Sequence, residues 1–117
     1  MVDDNPGAVN RDLDQLHDLL VALNERLNNS LDTITDPDLA RAVITEMREV
    51  VHRIDLVQSL LFAAASNRIS AAVAKVKDAN ADLSASLATI NNITGVVKTV
   101  SSFLTVVDKA IDLAKTA

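Results

Sequence analysis

The chain contains no cysteine, tryptophan or tyrosine, and only two glycines, two prolines and two phenylalanines among its 117 residues. Without cysteine there is no disulfide, no thiolate nucleophile, no zinc ribbon and no sign of an oxidising compartment. So few turn formers argue against an all-β sandwich or an α/β enzyme built on glycine-rich loops. A glycine-rich phosphate loop, a serine set between glycines and a His-Glu-x-x-His pattern are all missing, so a non-catalytic protein is expected, with no cofactor or small-molecule substrate evident. Basic excess is lacking as well. The net charge of −5 and pI near 4.8 oppose general binding to nucleic-acid phosphates, which depends on clustered lysine and arginine.

What is present is aliphatic. Fifteen Leu, fourteen Val, seven Ile and seventeen Ala supply a core without staples and set the chain apart from disordered sequences. That supply and the length fit one all-α domain over residues 10–117, behind a flexible segment, 1–9. The start, Met1-Val2-Asp3-Asp4-Asn5-Pro6-Gly7, is acidic and polar where a secretory signal needs a basic start and an apolar run, so a cytoplasmic location is expected. Charge is divided unevenly. Residues 1–58 hold twelve acids and five bases, net −7, whereas residues 59–117 hold four acids and six bases, net +2. Such asymmetry favours the halves folding onto each other or offers an acidic face to a basic partner; an unevenly charged solvated surface is the plainer reading.

Helix signals recur along the chain. Asn10 is placed to cap a first helix whose stripe Leu13, Leu16, Leu20, Leu23 and Leu27 is spaced 3, 4, 3, 4. Asp36-Pro37 reads as a cap followed by proline at the first helical position, opening a second helix with Val43, Met47, Val50, Ile54, Val57, Leu61 and Ala64 on one face, which Ile44 and Val51 are expected to widen. That helix is predicted to reach about Ala65, with a corner at Ser66-Asn67. A third stripe, Ile69, Val73, Val76, Asn80, Leu83, Leu87 and Ile90, places Asn80 at an apolar register position, where a polar side chain sets register in a coiled coil; a wet seam edge is the equal alternative. Beyond Ile90 the phase slips by three residues, to Ile93, Val97, Val100, Leu104, Val107, Ile111 and Ala114. The slip coincides with Asn91-Asn92 and Gly95, so a hinge at Gly95 and a chain that doubles back over 91–95 are predicted.

The architecture predicted is a four-helix bundle with heptad-like seams; the alternative is a three-helix long hairpin or coiled coil in which one rod runs from about Asn67 to Lys115. Leu83, Leu87, Ile90, Val97, Val100, Leu104, Val107 and Ile111 are expected to form an interaction seam, and the chain to act as a self-associating protein–protein interaction or assembly module. Wide apolar stripes on so short a chain leave surface that association hides, so the partner is a second copy or another protein. The competing reading is a conditional membrane binder or pore former using residues 83–107, whose only charge is Lys98. Ten polar Ser, Thr and Asn side chains in that stretch oppose a permanent span. The alanine-rich region from Ala63 to Ser86 allows close helix approach, although alanine is also simply the best helix former. Two carboxylate-x-x-His pairs, Asp14 with His17 and Glu49 with His52, match the spacing of di-metal bundles. At 100° per residue Glu49 and His52 face away from the Met47–Ile54 stripe, and Glu49 with Arg53 at i,i+4 accounts for them as a surface pair, so no metal is expected.

Overall fold

A computed structural model describes residues 9–87 and 93–116 as four helices: α1, Arg11–Ser30; α2, Pro37–Ser59; α3, Asn67–Leu87; and α4, Ile93–Lys115. No strand occurs among the described residues. The N-terminal segment apart from Val9, and Ile90 with Asn91 and Asn92, lie outside them.

Each start has a local cause. Asn10 Oδ1 accepts from the backbone N–H of Asp12 at 3.0 Å and of Leu13 at 3.2 Å, satisfying donors that the first turn of α1 leaves open. Asp36 accepts from the N–H of Asp38 at 2.9 Å, with Pro37 opening α2. The Ser66 hydroxyl accepts from the Ile69 N–H at 3.1 Å, which makes the expected corner real. The second helix nevertheless stops at Ser59, six residues before Ala65. Its end is drawn out by α1: the backbone N–H of Asn10 donates to the Leu61 carbonyl at 2.6 Å, and Asn10 Nδ2 donates to the Ala63 carbonyl at 3.1 Å. A capping residue fifty positions away therefore uses carbonyls that a longer helix would need.

The chain doubles back between Leu87 and Ile93, so the long-rod alternative does not form. Gly95 is not the hinge. It sits in the first turn of α4, where glycine costs backbone entropy but does not stop a helix.

Helix α1 packs on α2 and α3, and α4 packs on α3 and α2, so α1 with α4 and α2 with α3 lie across the diagonals. Two antiparallel hairpins are thus laid side by side in a body 50 × 22 × 19 Å. All five leucines of the α1 stripe are buried, against Val43, Val50 and Val57 of α2 and Ile69, Val73 and Val76 of α3. Within α4 the stripe differs at its start: Val97 is 37% exposed while Val96 is 7% exposed, and Phe103 joins the core. Val96, Val100, Phe103, Val107, Ala110 and Ala114 form their own 4, 3, 4, 3, 4 series, and drift of about 20° per heptad decides which series faces inward at the helix start.

Candidate functional site

Most of the predicted interaction seam is used up inside the single chain, with Val97 left 37% exposed. Leu83, Val100, Leu104, Val107 and Ile111 are buried at 3% exposure or less, and Leu87 is half-buried against the same core. These side chains join α3 to α4 and are closed to a partner, because four wide stripes in one chain satisfy one another. Ile90 lies outside the described residues. Asn80 is half-buried between Val76 and Leu83, at the core margin rather than enclosed.

The histidines sit on different helices. His17 on α1 lies 3.8 Å from Asp18, His52 on α2 is exposed, and among the described residues no three of His, Cys, Asp or Glu group to hold a metal. Glu49 is taken by Arg53, 3.0 Å away, as the i,i+4 spacing implies.

Between α2 and α4 lies a polar cluster only partly visible in the sequence. Arg53, 15% exposed at its side chain, donates from Nε and Nη2 to the two carboxylate oxygens of Asp108 at 2.9 and 3.0 Å. One heptad earlier, Ser101 donates to buried Glu46 at 3.4 Å. Both links pair residues 55 positions apart, so they hold these two parallel helices in one register. Burial raises the Glu46 carboxyl above its ordinary value and neighbouring Glu49 adds to this, whereas the Ser101 hydrogen bond and Arg53 pull it down. Burial opposes the charge on Arg53, but its bonds to Asp108 and Glu49 prevail and its pKa is raised. Every group here is engaged with another, so the cluster locks helices and leaves no side chain facing an open cleft. Glu46 escaped notice because it stands beside Met47 inside a stripe read from apolar residues alone; the available signal was its 3 and 4 spacing from Val43 and Val50.

The open feature is a trough along the outer side of α3 and α4. Two hollows, about 360 and 440 Å³, share Val106 as a wall. Ala79 and Phe103 line the first and Ala72 and Leu113 the second. Alanines make α3 a low wall, so Val106 and Leu113 of α4 are left partly uncovered while Phe103 is buried beneath. Arg68, Lys75, Lys98 and Lys109 rim the trough against a single carboxylate, Asp82. An apolar floor with a cationic rim suits an acidic amphipathic helix better than a small molecule, since both hollows are shallow and open. A third hollow, about 240 Å³, opens at the bundle end beside Leu27, Ile34, Leu39, Leu87 and Val96. Phe62, 67% exposed at the α2–α3 corner, stands alone, as single surface apolar residues commonly do.

No helix among the described residues is long and apolar enough to cross a membrane. The chain matches no protein-family model, and neither a curated protein nor a solved structure shows significant similarity to it.

Proposed function

We propose that the chain is a non-catalytic helical protein–protein interaction module that builds assemblies by self-association, working in the cytoplasm. The observation carrying this reading is the α3–α4 trough, where Phe103 and Val106 line a surface rimmed by four cations. The polar groups packed most closely elsewhere, Glu46, Arg53 and Asp108, are engaged with one another, which supports a structural role for them. The interface shifts from the expected seam to its outer neighbour, because Leu83, Val100, Leu104, Val107 and Ile111 of that seam are already buried.

Sedimentation velocity from low to high micromolar protein tests the reading. The expected result is a mass that rises with concentration for the natural chain and falls to that of a monomer for Val106→Asp. Membrane action is the competing outcome: co-sedimentation with anionic liposomes, unaffected by Val106→Asp, would replace assembly with the conditional membrane reading of residues 83–107.

A further inference from the structure

We infer that the hollow at the end of the bundle is a binding site for a small amphiphile with one anionic head, of the size of a carboxylate on a chain of about eight carbons. The site is separate from the α3–α4 trough and does not depend on what that surface binds.

The hollow lies where α1 ends, α2 begins, α3 ends and α4 begins, and every helix supplies a wall. Leu27 comes from α1, Ile34 from the connector, Leu39 and Val43 from α2, Leu87 from α3 and Val96 from α4. Leu27, Val43 and Val96 are at most 7% exposed, whereas Ile34, Leu39 and Leu87 are half-buried, so an apolar floor continues into an apolar mouth. Protein interiors leave few voids larger than a water molecule. This one holds about 240 Å³, more than the roughly 150 Å³ with which an apolar cavity takes up a benzene ring. Water inside it meets aliphatic walls that offer no hydrogen bond, and its exchange for an alkyl chain is favourable.

The head is selected by what the mouth can donate. Arg26 is the one charged side chain among the lining residues. Its Nη1 donates to the Ser84 hydroxyl at 2.6 Å and its Nη2 to the Ser84 carbonyl at 3.2 Å. Ser84 stands one turn before Leu87 on α3, so the guanidinium held there borders the opening. A guanidinium has five N–H donors, and the two bonds to Ser84 leave three. Among the described residues no carboxylate pairs with Arg26. Ser30 and Thr33 add no donor, because their hydroxyls donate to the Leu27 carbonyl at 2.6 Å and the Ser30 carbonyl at 3.1 Å. A carboxylate therefore finds both charge and donors on Arg26. An alcohol lacks the charge, and an ammonium head is repelled.

The test titrates the full-length protein with octanoate, octanol and octylammonium, followed by calorimetry and thermal melts. Expected is one saturable octanoate site per chain with a dissociation constant of roughly 0.1–1 mM, as suits a ligand of about ten non-hydrogen atoms. Tm rises with octanoate concentration, because the ligand binds only the folded chain. Octanol binds roughly fivefold more weakly, and octylammonium does not saturate. Arg26→Met lowers octanoate to the affinity of octanol without changing octanol itself. Ile34→Phe fills the hollow from its half-buried rim and abolishes binding of both, with helix content checked by circular dichroism; should it fail to fold, Leu39→Phe fills the same space. No saturable octanoate binding below ~5 mM, or binding that survives the filling substitution, overturns the inference. Octanoate binding lost in Val106→Asp and kept in the filled variant overturns it in favour of the trough. If Arg26→Met weakens octanoate and octanol equally, the anionic head is overturned, since Arg26 then acts on the chain and not on the charge.

Discussion

Replacing Arg53 with Met keeps most of the side-chain stem and removes the guanidinium that Glu49 and Asp108 share. The loss divides into two parts. Two charge-assisted bonds to Asp108, at 2.9 and 3.0 Å, would each contribute strongly if fully enclosed, but Asp108 is 46% exposed, so water compensates it and about 1.5 kcal/mol is a reasonable loss for the pair. The exposed i,i+4 bond to Glu49 adds about 0.4 kcal/mol. Arg53→Met should therefore destabilise by about 2 kcal/mol, or roughly 8 °C in Tm for a domain of this size. A pH dependence accompanies this. Burial holds the Glu46 carboxyl above its ordinary pKa, so across the interval above that value the native state keeps a proton that the unfolded chain has released, and stability falls as pH rises. Arg53 pulls the Glu46 pKa down, so its removal carries this interval to higher pH and makes the variant's deficit larger at neutral pH than in mild acid. Urea melts at pH ~5 and ~7, combined with Asp108→Asn in a double-mutant cycle, measure both effects; a coupling energy of about 1 kcal/mol is expected. A total loss below ~0.5 kcal/mol, within the range of an ordinary surface substitution, or a deficit that grows toward acid, would refute the account of this cluster.

Asn10→Ala should cost about 2 kcal/mol in a thermal melt, because it removes both the α1 cap and the hydrogen bond to the Ala63 carbonyl; Asn10→Asp, which keeps the cap and loses that donor, should cost about half as much. Gly95→Ala should stabilise by up to ~0.5 kcal/mol, since the position is helical and alanine reduces the entropy lost on folding; a loss on denaturant titration would mean that a Cβ is not accommodated there. Asn80→Leu should raise Tm without changing the sedimentation profile, because Asn80 lies at the margin of this chain's own core; a mixture of new oligomers would return it to the role of register lock.

Much of the architecture was legible residue by residue. The Asn10 and Asp36-Pro37 caps, the Ser66 corner, the leucine stripe of α1 and the break after the third stripe are local signals, each read within one or two helical turns. The Glu49–Arg53 pair was equally local. The functional surface was not. Periodicity marks a wide stripe as apolar without saying whether another chain or the same chain covers it, so the α3 and α4 seams read as an interface until their burial was known. The trough was hidden in Ala72 and Ala79, whose small side chains look like ordinary helix formers until Phe103, Val106 and Leu113 stand beside them.

By itself, then, the sequence determined that the chain is helical and where most of its helices begin, because backbone hydrogen bonds and caps span only a few residues; that there are four helices and not three was decided by the structure. Only the tertiary structure decided that α2 ends at Ser59, that Glu46 is buried against α4, that α2 and α4 are neighbours rather than α2 and α3, and that two open hollows lie between α3 and α4. Those outcomes depend on contacts such as Asn10 with Ala63 and Arg53 with Asp108, more than fifty residues apart, whose formation depends on how all four stripes pack together and on no single helix.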